Sequence, residues 1–244
     1  MEEACYGKPH GPLVTPEEFI LRGTSLYNAL GIVPYCPSCD EPLFLHAVHS
    51  LRTSSSFHHR ELKEGIDPLD DCVLAARNAR LKSLEPDGWD FARGQRIREL
   101  FFEDTNLRYA YAFCLSMCRK GNLPVPQWQK MLQRADQKKI WCYAGIKVWA
   151  IPYILLSLEN FRTRPSPQKL EYGFHFILHK PRGSKISSMW GTSSCTLKKV
   201  FSDSGNEIAA SDNPYPVTAE AMIQKAGDTS WIPQALLRSL KPPS

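Results

Sequence analysis

This 244-residue chain has no Gly-rich phosphate loop, no dinucleotide-binding fingerprint and no hydrolase nucleophile elbow. P-loop nucleotide hydrolases, Rossmann-type oxidoreductases and serine hydrolases are therefore set aside, because each needs its own motif to hold the reacting group. Internal repeats and low-complexity tracts are absent as well. At the start, Met1-Glu2-Glu3-Ala4-Cys5 is acidic and no positive segment precedes an apolar run, so no cleavable export signal is expected. The eight cysteines are accordingly expected in a reducing cytoplasm, as thiols or metal ligands rather than disulfides. Long apolar runs are scarce. The one from Ile140 to Leu158 carries Lys147 midway and Pro152 further on. A lysine at mid-membrane costs about 2.5–3.5 kcal/mol on insertion scales, so this run reads as buried core and no membrane partner is expected.

Charge is present but unevenly placed. Through Ala76 there are five Lys or Arg against eleven Asp or Glu; from Arg77 onward there are twenty-five against fourteen. A polyanion would therefore sit on the body of the protein and not on its N-terminal part.

The pattern along the chain predicts an α+β protein. Thr15-Pro16-Glu17-Glu18 signals a helix start, with a capping hydroxyl, a first-turn proline and acids at the positive end; a strand over Glu18–Leu21 competes with it. Ile32 to His49 reads as strand, turn, strand. A helix is expected from Leu69 or Asp70 to about Lys82. Further helices are expected over Phe91–Glu103, Leu107–Arg119 and Val125 to about Lys139, the second with Leu107, Tyr111, Cys114 and Cys118 at helical spacing. Arg164-Pro165-Ser166-Pro167 reads as a linker. Beyond it Tyr172, Phe174, Phe176 and Leu178 alternate as in a strand, with a second strand over Cys195–Phe201 and two short helical stretches after Pro214. The expected division is residues 1–76 as a small zinc-ribbon-like β module with an N-terminal helix, 77–163 as a helical domain, and 168–240 as a β-containing C-terminal region.

The strongest chemical motif is Tyr35-Cys36-Pro37-Ser38-Cys39, followed by Ser56-Phe57-His58-His59 and Asp70-Asp71-Cys72. Cys-x-x-Cys at a tight turn puts two sulfurs on one knuckle, each able to reach a zinc ion at about 2.3 Å. Cys36, Cys39, His59 and Cys72 make a closed tetrahedral set. For the fourth ligand Cys72 leads, because a thiolate is favoured at a helix start; His58, His49 and His46 stand as alternatives.

A Cys-Pro-x-Cys knuckle, a β-hairpin and then Phe beside His resembles the zinc-ribbon-like N-terminal module of the competence protein CoiA family, over about residues 32–72. The family pattern is His-Phe-x-His; Phe57 and His59 match it, and Ser56 replaces its first histidine. The resemblance implies a bacterial or mobile-element setting and a following nuclease domain of the restriction-endonuclease type. Such a nuclease needs a carboxylate and a Glu-x-Lys on a core strand. Here the only Glu-x-Lys is Glu61-Leu62-Lys63, with no apolar strand around it.

Other candidates carry less. His175 and His179 share one side of the Tyr172 strand upstream of Cys195, and read as sheet partners. Cys114 and Cys118 lie on an apolar stripe and read as core. Arg77, Arg80, Arg93 and Arg96, with Lys180, Arg182 and Lys185, are candidate phosphate contacts. Of the tryptophans, Trp128, Trp141 and Trp149 read as core, which leaves Trp190 as a stacking platform. The expected function is a non-catalytic zinc-stabilised protein that binds nucleic acid or a nucleic-acid-handling complex. The alternatives are a divergent CoiA-like nuclease and a protein–protein adaptor with purely structural zinc.

Overall fold

The computed structural model describes residues 1–22, 31–47, 50, 52–61, 65–78, 80–118, 123–163, 171–181, 184–190, 195–211 and 213–242. Among these residues the protein is α+β, with seven helices and three antiparallel sheets. It divides into two units, Met1–Lys82 and Ser83–Ser244.

In the first unit, β1 (Ala4–Tyr6) lies between β2 (Leu13–Val14) and β3 (Pro34–Tyr35). Strands β4 (Phe44–His46) and β5 (Ser56–His58) form a separate hairpin, in register Phe44↔His58, Leu45↔Phe57 and His46↔Ser56. Strands β1 and β2 are too short for an alternating pattern and had no sequence signal. Residues 16–22 are helical (α1), which decides against the competing strand. The Glu18 amide donates to the Thr15 hydroxyl at 3.2 Å and the Thr15 amide to the Glu18 carboxylate at 3.0 Å. This reciprocal capping box satisfies two amides that a helix start leaves open. Phe19 on α1 packs edge-on against Phe57 on β5, ring centroids 5.9 Å apart, in a core that also holds Ala4, Val14, Cys36, Leu43, Cys72 and Ala75.

The helix expected from Leu69 or Asp70 to Lys82 does not form. Residues 67–78 run through successive turns, and only Lys82–Leu84 makes a short 3-10 turn. Local side chains take the amides a helix would use. Asp67 accepts from the Leu69 amide, Asp71 from the Cys72 amide, Cys72 Sγ from the Leu74 amide and Asn78 from the Leu81 amide. Short polar side chains compete with the helical ladder in this way.

The second unit follows the expected order more closely. Helices α2 (Phe91–Phe101), α3 (Asp104–Met117) and α4 (Val125–Gln137) occupy the middle. Cys114 and Cys118 are buried, and the Cys114 thiol donates to the Pro152 carbonyl at 3.6 Å. The apolar run after α4 is broken into two 3-10 turns and the short α5 (Ile151–Ser157), all of whose residues are buried. Gly145 makes the bend with φ +71°, and Lys147 is exposed. No described helix is long and apolar enough to cross a membrane.

One four-stranded sheet, β6 (Asn160–Arg162), β7 (Gly173–His179), β8 (Thr196–Phe201) and β9 (Tyr215–Pro216), takes strands from both sides of the expected linker. The linker itself lies outside the described residues. Phe174, Phe176 and Leu178 point into the core, as their alternation predicts. Two tail helices, α6 (Ala219–Ala226) and α7 (Gln234–Leu240), dock by side-chain bonds to backbone. Trp128 donates to the Leu240 carbonyl at 2.9 Å and Tyr153 to the Thr218 carbonyl at 2.9 Å.

This unit also contains a buried ion pair. Arg134, 1% exposed, donates to the Leu158 carbonyl at 2.8 Å and pairs with Glu159 at 3.2 Å. Removing one partner of such a pair leaves a desolvated charge, at a cost of about 3–5 kcal/mol. Glu159→Ala is expected to lower the stability of the second unit by that amount in a denaturant titration. Unchanged stability would show that the pair is not held as described.

Candidate metal centre

Four metal-ligating side chains reach one point from three segments. Cys36 and Cys39 come from the turn after β3. The Asp40 amide donates to the Cys36 carbonyl at 3.0 Å and the Cys36 amide to the Glu41 carbonyl at 2.9 Å, which closes the knuckle. Asp40 takes the left-handed conformation at φ 59° that this turn requires, one that aspartate tolerates better than most residues. His59 follows β5 directly, and Cys72 comes from the turns that replace the expected helix.

The ligand atoms of Cys36, Cys39, His59 and Cys72 all lie within 4.8 Å of one another. Cys36 Sγ and Cys72 Sγ are 3.6 Å apart, and Cys39 Sγ and His59 Nε2 are 3.4 Å apart. A tetrahedron with metal–sulfur bonds of about 2.3 Å and metal–nitrogen bonds of about 2.0–2.1 Å has edges of roughly 3.5–3.8 Å, so these two edges are already near ligand spacing. Cys36 is fully buried and Cys72 is 4% exposed, whereas Cys39 and His59 are half-buried. Cys36 Sγ accepts the Ser38 amide and Cys72 Sγ accepts the Leu74 amide, each at 3.4 Å. Cys72-Val73-Leu74 thus repeats the amide-to-sulfur arrangement of the knuckle, with no helix dipole involved.

Electrostatics fit a cation. Burial, then hydrogen bonds with its neighbours, pushes the Cys36 thiol well above its ordinary range. Hydrogen bonds from Cys36 and Cys39 pull Cys72 far below it. Three thiolates crowded this closely repel one another. A metal ion at their centre would hold all three as thiolates and bind the neutral imidazole beside them. Three soft sulfurs and a nitrogen form a set that can hold a metal ion.

Of the alternative ligands, His58 and His46 do not join the cluster. On β5, Phe57 turns into the core, so Ser56 and His58 face outward and His58 Nε2 lies 2.9 Å from Ser56 Oγ. The His46 ring lies against the His58 ring, centroids 4.9 Å apart. His49 lies outside the described residues.

The sequence did not assign Asp71 a role. Arg77 donates to its carboxylate through Nε at 3.0 Å and Nη2 at 2.8 Å, and through Nη1 to the Arg60 carbonyl. Arg77, an expected phosphate contact, is therefore engaged inside the first unit. The one available signal was an aspartate beside a ligand cysteine with an arginine six residues on.

The other basic candidates lie on separate segments of the chain. Arg80 is half-buried in the first unit, and Arg93 is half-buried on α2. Arg96 is exposed, 3.6 Å from Glu99. Lys180 is half-buried after β7, Lys185 is exposed, and Arg182 lies outside the described residues. Trp190 is 5% exposed and so no stacking platform, while Trp231, which carried no expectation, is 49% exposed. His175 is half-buried and His179 exposed on one side of β7, and Cys195 donates its thiol to the His179 carbonyl at 3.2 Å.

The fold and site define an α+β protein with a buried Cys3His cluster capable of holding a metal ion. Comparison with protein-family models, with curated proteins and with solved structures found no match to the chain.

The ligand assignment makes a comparison possible within one protein. Cys72→Ala is expected to lower bound metal as strongly as Cys36→Ala, while His46→Ala and His58→Ala keep it. Metal analysis of the purified variants decides this. Full metal content in Cys72→Ala would remove it from the set.

Proposed function

We propose that the first unit folds around one structural zinc ion, and that the protein is a non-catalytic binder of nucleic acid or of a complex that handles it. The observation that carries the zinc reading is the closed donor set. Four protein ligands around one zinc ion would fill its tetrahedron and leave no position for water or substrate, as in structural and not catalytic zinc sites. Similarity to the zinc module of the CoiA family rests on Cys36, Cys39, Phe57 and His59. A nuclease would need converging carboxylates; Glu61 is exposed and outside any strand, and Lys63 lies outside the described residues.

The nucleic-acid part of this reading is supported by charge and by one tie. Ser83–Ser244 holds twenty-two Lys or Arg against fourteen Asp or Glu. Within it, Asp87 accepts from the Ser187 amide at 2.9 Å and from the Ser187 hydroxyl. That pair fastens the segment just after Lys185 to the one leading into α2, which carries Arg93 and Arg96.

Two measurements test these readings. Purified protein is expected to carry one zinc per chain, and a chelator is expected to melt the first unit while the helices of the second persist by circular dichroism. A metal-free protein with the same melt would end the zinc reading. For nucleic acid, log affinity is expected to fall linearly with log salt, with a slope of roughly −0.7 to −0.9 per phosphate neutralised. Arg93→Glu with Arg96→Glu should flatten that slope without unfolding the chain. No salt-dependent binding would move the adaptor reading ahead.

A further inference from the structure

Beyond the four ligands, the same unit contains a side-chain link between the two segments that deliver His59 and Cys72. Asp71 directly precedes Cys72 and is 6% exposed. One of its oxygens accepts both the Cys72 amide and Arg77 Nη2, each at 2.8 Å, and the other accepts Arg77 Nε at 3.0 Å. The remaining arm of the guanidinium, Nη1, donates to the carbonyl of Arg60, the residue after His59.

We propose that Arg77 is a positioning residue of the metal centre, clasping the His59 and Cys72 segments together and setting how long the metal stays bound. This rests on the zinc reading above. His59 and Cys72 sit on chain that has little regular structure, since His59 lies past the end of a three-residue strand and Cys72 among turns. Cys72 is also held by the core and by its carbonyl, which accepts the Ala75 amide and Asn78 Nδ2, whereas half-buried His59, past the end of its strand, would drift once its metal bond opened. A bidentate Arg–carboxylate pair on a nearly buried aspartate holds the released ligand within reach, so that rebinding outruns escape. An exposed ion pair would contribute little. This one has the planar, two-point geometry that arginine supplies and lysine cannot, and one face of it also holds the Cys72 backbone.

The test uses full-length protein loaded with Zn2+ and mixed with excess chromogenic chelator, with zinc transfer followed in time. Partners that orient metal ligands typically affect metal affinity by about 10–100-fold, so Arg77→Gln and Arg77→Lys are expected to release zinc at least about tenfold faster than the parent. Asp71→Asn should match Arg77→Gln, and the double variant should be no faster than either single one, because all three break the same link. The melting of the second unit should not change. Release at the parental rate in both Arg77 variants would overturn the proposal. If Arg77→Gln fails to fold, Arg77→Lys carries the same comparison with the charge retained. A parent protein that holds no zinc would remove the zinc reading and the clasp together, and that result is visible before any variant is made.

Discussion

Cys36 and Cys72 are 36 residues apart in the chain and their sulfurs are 3.6 Å apart in the fold; most of the first unit depends on keeping them there. Among the described residues its strands are two or three residues long, and the buried cluster that includes these cysteines holds eight residues, with Cys5, Leu69, Val73 and Leu81 buried as well. A core of this size has little to spare against the conformational entropy of ordering so much irregular chain. Small domains of this kind add a staple, and a metal bound by four side chains is a strong one. Phe19 and Phe57 then have a defined place to pack, which in turn fixes α1 against the hairpin that leads to His59.

How much of this was legible differs between the two units, for physical reasons. In the second unit, helical spacing and the alternation of Phe174, Phe176 and Leu178 reflect burial of a continuous face, and burial leaves a periodic trace. In the first unit the signal was chemical. Cys36, Cys39, His59 and Cys72 were readable as a ligand set because metal chemistry restricts residue type and spacing. The surrounding backbone was not readable in the same way. The stretch around Cys72 has the composition of a helix, yet Asp67, Asp71, Cys72 and Asn78 each capture a nearby amide, and a periodicity count does not see those competitors. Arg77 shows the same limit: by composition a surface cation, by geometry it has an aspartate and a carbonyl to hold. Which partner an arginine finds is decided by long-range packing.

The second unit presents a contrasting constraint. Its sheet takes β6 from before residues 164–170 and β7 from after them, and pairs Phe161 with Phe174 across that interval. A Pro-rich segment is a reasonable place to expect a domain boundary, since proline disfavours continuing secondary structure. Pairing between the flanking strands means that the helices before it and the sheet after it share one core. The tail helices add to that core through Trp128 and Tyr153, so the unit is closed by residues far apart in sequence.

The spacing of the ligands bears on how a metal ion would gather them. Cys36 and Cys39 are joined by a single turn, so a metal ion can capture both at almost no loop-closure cost while the rest of the chain is still open. His59 then closes a loop of 20 residues from Cys39, whereas direct capture of Cys72 by Cys36 would close one of 36. Since closure cost grows as the logarithm of length, the two differ by only about 0.5 kcal/mol, too little to impose a sequence on them. What separates them is environment: His59 ends half-buried and Cys72 enters the core. Cys72 shares its buried cluster with Phe19, Phe57 and Leu43. A metal ion bound here would meet the knuckle as its cheapest first pair of ligands, and Cys72, the buried ligand, would be seated as the unit packs.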